Sequence, residues 1–134
     1  MERYTLDHDI KVFYVQAESF PDGIGAAYEK LHSLVDDPAE RHQFGLSAPE
    51  NGVIVYKAAL EELNEGEGNK LCCETFVILE GEYLSITIYN FMKDIESIGN
   101  AFNELIANPH IDPQGVCIEW YLNEKDVKCT VKLR

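Results

Sequence analysis

Among the residues that could do chemistry, one carboxylate is placed unlike the rest. Glu119 lies in Gly115-Val-Cys-Ile-Glu-Trp-Tyr-Leu122, a β-branched and aromatic run entered through Pro113-Gln-Gly115. Such a run reads as a strand. Side chains alternate across a strand, so Val116, Ile118, Trp120 and Leu122 share one face and Cys117, Glu119 and Tyr121 the other. An unpaired carboxylate is costly to bury, so Glu119 needs a partner, a raised pKa or access to water. Lys11, Lys57 and Lys128 fall in predicted strands and are the cations that could pair with it. Tyr121 shares its face, which also makes a general acid/base pair stereochemically feasible.

Other chemistry is sparse. Cys72, Cys73, Cys117 and Cys129 form no C-x-x-C pair and have no histidine at zinc-ligand spacing, so reduced thiols in or near the core are expected. His8, His32, His42 and His110 are scattered. No phosphate loop or nucleophile–base motif is present. Neither a metal nor a cofactor is therefore expected.

The chain has 134 residues, 46% of them hydrophobic and 26% charged, which suits one globular domain spanning 1–134. Eleven basic against 24 acidic side chains give a formal charge of −13. That balance argues against direct nucleic-acid binding and against an anionic membrane surface. No apolar run approaches the roughly 18 residues of a membrane span. The N-terminus lacks the apolar core of a signal peptide, which points to the cytoplasm.

The elements that must position Glu119 follow from periodicity. Residues 9–17 read as a strand, and Ile24, Ala27, Tyr28 and Leu31 recur at helical spacing after Asp22, a suitable helix start. Residues 42–47 and 53–60 are the next strands, and the acidic, glycine-containing stretch 61–70 reads as a flexible connector. Strands at 71–79 and 83–91 precede a helix capped by Asp94, with Ile98, Ala101, Phe102 and Leu105 in its apolar stripe. Strands at 115–122 and 127–133 complete the chain.

An internal repeat organises this order. Ile24-Gly-Ala-Ala-Tyr-Glu-Lys-Leu31 aligns with Ile98-Gly-Asn-Ala-Phe-Asn-Glu-Leu105 at an offset of 74. The same offset carries Ile10 onto Leu84, Phe44 onto Ile118 and Val53 onto Val127. The expected fold is α+β: two pseudo-symmetric βαββ halves, about 9–60 and 82–134, joined by 61–81 and sharing an antiparallel sheet. Extending the register places Ile10, Val12, Phe44, Ile118, Leu84 and Ile86 toward the helices. Tyr83, Tyr89, Glu119, Tyr121 and Phe13 then line a groove on the opposite face, which needs a ligand, a partner or the other half to cover it.

The pattern resembles the GyrI-like effector-binding domain, found in gyrase-inhibitory-type proteins and as the ligand domain of AraC- and MerR-type multidrug-sensing regulators. The matching segments are Phe44-Gly-Leu-Ser47, Glu80-Gly-Glu-Tyr-Leu84, Ile98-Gly-x-Ala-Phe-x-x-Leu105 and Cys117-Ile-Glu-Trp-Tyr-Leu122. The chain has no helix-turn-helix segment, as a stand-alone ligand domain would. The resemblance implies an aromatic-lined groove between the halves, in which Glu119 meets cationic ligands and Tyr121 forms a neighbouring wall.

Three functions are consistent with this reading. One is binding of cationic, lipophilic or aromatic small molecules, with Glu119, Tyr121, Tyr89, Tyr83, Tyr56, Trp120 and Phe13 as candidate contacts. A second, implied by the resemblance, is hydrolysis of cyclopropane-containing electrophiles by Glu119 and Tyr121. A third is a gyrase-inhibitor-like interaction with a protein partner. Edge strands leave pairing of two copies into a homodimer open.

Overall fold

The computed structural model describes residues 1–134. Its strands and α-helices run β1 (Glu2–Leu6), β2 (Ile10–Gln16), α1 (Ile24–Ser33), β3 (Gln43–Glu50), β4 (Val53–Glu61), α2 (Glu67–Lys70), β5 (Glu74–Ile78), β6 (Gly81–Ile88), α3 (Glu96–Ile106), β7 (Cys117–Tyr121) and β8 (Val127–Lys132). All eight strands join one antiparallel sheet in the order β1-β6-β8-β7-β3-β4-β2-β5. The α+β class, the two βαββ halves and a groove are as expected.

The halves meet at the β3–β7 pair, and the strand order reads alike outward from it: β3-β4-β2 on one side, β7-β8-β6 on the other. In the middle of that pair Gly45 lies opposite Glu119. These two residues are also equivalent at the 74-residue offset, so the pseudo-twofold axis passes between them. The helices obey the same offset. Ala27 and Leu31 of α1 are buried, as are Ala101 and Leu105 of α3. Fully burying each leucine stabilises the fold by about 1.5–3 kcal/mol.

Three apolar clusters divide the core. Phe13, Ala58 and Leu60 pack beneath α1 with Ala27 and Leu31. Leu84, Val127, Cys129 and Val131 pack beneath α3 with Ala101 and Leu105. The third cluster lies on the other face of the sheet and holds Leu6, Ile10, Val12, Phe44, Leu46, Ile78 and Ile118. It includes residues from both edge strands, so the sheet curls around it.

This arrangement corrects the expected faces. Ile10, Val12, Phe44 and Ile118 point away from the helices, whereas Phe13 points toward α1. Phe44 and Ile118 turn to the cluster inside the curl of the sheet, and for β2 the reason is a change of register. Gly45 pairs with Ala58, and Ala58 with Val15; Glu119 pairs with Cys129, and Cys129 with Ile86. The equivalent of Ile86 is thus Val15, at an offset of 71. The change from 74 is three residues, an odd number, and an odd slip exchanges the faces of a strand. The face that carries Glu119 is the helix-facing one, and the groove lies between the helices.

Further departures concern short elements. The N-terminus forms β1, whose partner β6 lies some eighty residues on. The connector is ordered, because Arg41 reaches Glu67 of α2 through Nη1 and Nη2, each 2.7 Å from a carboxylate oxygen. Arg41 also donates to Asp37 at 2.8 Å and to the Glu61 carbonyl at 3.0 Å. This pairing holds Glu67 down to about 2. Cys72 and Cys73 precede β5 instead of lying in it, and Cys72 is exposed. Asp22 and Asp94 make no capping bond; Gly23 and Ile95 occupy the N-cap positions.

Candidate functional site

A cavity of about 1000 Å³ opens between α1 and α3 over the centre of the sheet. Ile24, Gly25 and Tyr28 of α1 form one wall, and Ile98, Gly99 and Phe102 of α3 form the other. Gln43, Ser47, Tyr56, Cys117, Glu119 and Tyr121 contribute from the strands between them. Phe20, Met92, Ile95 and Ile106 are exposed at its rim. The apolar surface expected around the acid is therefore present, gathered between the helices.

Glu119 is 9% exposed and has no cationic partner. The three lysines that could have paired with it are engaged elsewhere. Lys11 lies 3.7 Å from Glu62, Lys57 sits over the Tyr14 ring, and Lys128 over Tyr4 and Trp120. Two phenols supply what the cations do not. Tyr121 Oη donates to Glu119 Oε1 at 2.5 Å, and Tyr56 Oη donates to the same oxygen at 3.0 Å. Tyr121 reaches it because residues two apart on a strand share a face. Tyr56 reaches it from β4, across the glycine at 45.

A third phenol completes the cluster. Tyr28 Oη donates to the Phe44 carbonyl at 2.8 Å and lies 2.9 Å from Tyr56 Oη. The rings of Tyr28 and Tyr121 meet edge to face with centroids 6.1 Å apart. Phe20 stacks on Tyr56 at 6.0 Å, and Phe91 meets Tyr121 edge-on at 5.6 Å. His32 Nε2 lies 2.7 Å from Gln43 Oε1 beside this group.

Both phenols bond the same carboxylate oxygen. Oε2 accepts no hydrogen bond from the protein. It is not sealed off either, since no fully enclosed side-chain nitrogen or oxygen lacks a partner. One carboxylate oxygen is thus held by the protein and the other is offered to the cavity.

The electrostatics follow from burial. Removal from water raises the pKa of Glu119, and the bonds from Tyr121 and Tyr56 pull it only partly back. Burial and the neighbouring acid push Tyr121 far above the ordinary phenol value. Burial does the same to Tyr28 and, together with the phenol of Tyr28, to Tyr56. All three therefore remain donors at neutral pH. Burial, with Glu119 adding to it, also raises the Cys117 thiol and pushes Cys129 up to about 12.

Of the residues singled out from the sequence, Glu119, Tyr121 and Tyr56 come together at the cavity. The other four lie elsewhere. Tyr83 is in the cluster on the opposite face, with its hydroxyl 2.6 Å from the Leu79 carbonyl. Tyr89 is 70% exposed beyond the end of β6. Trp120 points to the other face and packs on Phe44 and Tyr4. Phe13 is fully buried beneath α1. Sequence reasoning missed Tyr28, although the repeat already paired it with Phe102 and placed both on equivalent helix faces.

A curled antiparallel sheet with two helices flanking a central groove is an architecture seen before. It is similar to a hydrolase from Listeria innocua, with a TM-score of 0.64 and 10% identity over 99% of this chain and 90% of that one. An integron cassette protein from Vibrio cholerae matches with a TM-score of 0.66 and 16% identity, covering 99% and 95% of the two chains. SAV2435, solved bound to tetraphenylphosphonium, matches with a TM-score of 0.65 and 14% identity, covering 98% and 93%. At such identities the shared property is the fold. The sequence matches no family model, and no curated protein matches it. No helix is long and apolar enough to cross a membrane.

Proposed function

We propose that this chain binds lipophilic, cationic small molecules in the groove between α1 and α3. The observation that carries this reading is Glu119, a buried carboxylate with no cationic partner at a large apolar cavity. A cation docking on Oε2 would supply the missing charge in a site where water screens weakly. The faces of Tyr28, Tyr56 and Tyr121 would add cation–π attraction of about 0.5–2 kcal/mol per contact. The GyrI-like resemblance and the fold shared with a protein that binds tetraphenylphosphonium support the same choice. Titrating tetraphenylphosphonium into wild type and Glu119→Gln tests it. Micromolar or tighter binding that weakens at least about tenfold in the variant is expected. Equal affinity in both, or equal binding of a neutral analogue, rejects the reading.

A second reading is hydrolysis of strained, cyclopropane-containing electrophiles. The contact that favours it is the 2.5 Å bond between Tyr121 and Glu119, together with the fold shared with a hydrolase. Water would add to a ring carbon as Glu119 takes its proton, while Tyr121 protonates the oxygen that receives the electrons of the broken C–C bond. Turnover of such a compound, abolished in both Glu119→Gln and Tyr121→Phe, would raise this reading above binding alone.

A further inference from the structure

The groove has matched walls and an unmatched floor. Ile24 and Ile98, Gly25 and Gly99, and Tyr28 and Phe102 are equivalent pairs, and all six residues line the cavity. Each pair places one member on α1 and the other on α3. The acid between them has no such counterpart. Glu119 faces its own equivalent, Gly45, across the central strand pair. Glu119 therefore lies beside the pseudo-twofold axis, between two walls that share these three pairs, and not at one end of the groove.

We infer that the site selects cations whose charge lies between two apolar arms over cations whose charge ends a single chain. This rests on the proposed binding of lipophilic cations and specifies their shape. A positive centre against Glu119 Oε2 leaves an apolar space on either side, one along each helix. A two-armed cation fills both spaces at once. A cation with a terminal charge fills one, and the rest of its chain stays in water, at a loss of roughly fourfold in affinity per exposed methylene. The two glycines widen these spaces: a Cβ added at Gly25 or at Gly99 meets no atom within 4 Å.

Two isomeric ammonium ions separate charge position from size, charge and atom content: dihexyldimethylammonium, with nitrogen in the middle, and undecyltrimethylammonium, with nitrogen at one end. Both are titrated calorimetrically into the full chain, below the concentrations at which they form micelles. The dihexyl isomer is expected to bind about tenfold tighter or more. Equal affinities, or tighter binding of the undecyl isomer, overturn the inference while leaving Glu119-dependent cation binding standing. If neither isomer prefers wild type over Glu119→Gln, the functional reading fails and this inference with it. Gly25→Leu and Gly99→Leu then fill one space each. Weakening of the dihexyl isomer by both variants supports the two-armed pose, and indifference to either one overturns it.

Discussion

Gly45 and Glu119 face each other at the centre of the sheet, and the space a side chain at 45 would need is held by groups that serve the acid. A Cβ at Gly45 would overlap Tyr56 Oη and stand 2.7 Å from Tyr56 Cζ and 3.0 Å from Tyr28 Oη. The repeat is broken at this position so that Tyr56 of the first half can reach a carboxylate of the second. An acid and its equivalent glycine thus form one device.

Gly45→Ala is expected to destabilise the fold by about 1–3 kcal/mol, because Tyr56 is enclosed and has little room to retreat. Urea denaturation measures the loss. Combining it with Tyr56→Phe should cost clearly less than the sum of the single changes, since the smaller ring removes the nearest obstruction. Simple additivity would mean that Gly45 does not act through Tyr56.

The raised pKa of Glu119 makes stability depend on pH with a definite sign. Between the ordinary carboxylate range and its raised value, the folded chain keeps a proton that the unfolded chain has lost. This contribution is complete at low pH and is lost as pH rises through the raised value. Glu67 acts oppositely, contributing above the ordinary carboxylate range and losing its contribution as pH falls toward about 2. The difference between wild type and Glu119→Gln isolates the first term. The variant should gain on wild type as pH rises, and a gap that stays constant with pH would contradict the assignment.

Cation binding favours the ionised acid, so affinity for tetraphenylphosphonium should rise with pH through the raised value and then level off. Below that value each binding event should release up to about one proton. Calorimetry in two buffers of different ionisation enthalpy reads the release directly. Tyr121→Phe removes the shorter of the two bonds that lower this pKa, and should move the affinity profile to higher pH.

The register change supplies a control. Tyr83 lies on the opposite face and Tyr89 beyond the end of β6. Tyr83→Phe and Tyr89→Ala should leave cation affinity within about twofold of wild type. A substantial loss in either would place the binding surface elsewhere on the molecule.

Arg41 is expected to anchor the connector. Its side chain is nearly enclosed, with Glu67 and Asp37 as ion partners. Arg41→Met leaves the Glu67 carboxylate without its cation and should cost about 3 kcal/mol in chemical denaturation. Local hydrogen exchange around α2 should rise with it.

Much of this molecule was legible from side-chain periodicity and the 74-residue repeat. Both long helices and the equivalence of Gly45 with Glu119 follow from them. The faces of β2, β3 and β7 did not; β2 is displaced because register is set by turn lengths, and β3 turns into β4 through Asn51-Gly52 whereas β7 reaches β8 through a longer connection. One alignment offset cannot describe both. The strand β1 and the ordered connector depend on partners far along the chain, Ser85 and Arg41 among them, and local pattern carries no such information. Tyr28 was hidden for a different reason. Its apolar ring fits a core stripe, and only the approach of the Phe44 carbonyl and Tyr56 gives its hydroxyl a task.

The edge strands carry one further implication. β1 comes just before β2 yet pairs with β6, and β5 comes just before β6 yet pairs with β2. Each half thus lends its leading strand to the other. During synthesis β1 leaves the ribosome before the rest of the sheet and waits until residues 81–85 follow before it can pair. β3 likewise waits for β7, at residues 117–121. Neither half can finish its share of the sheet alone, so a chain cut in the connector would yield two fragments that fold only on meeting.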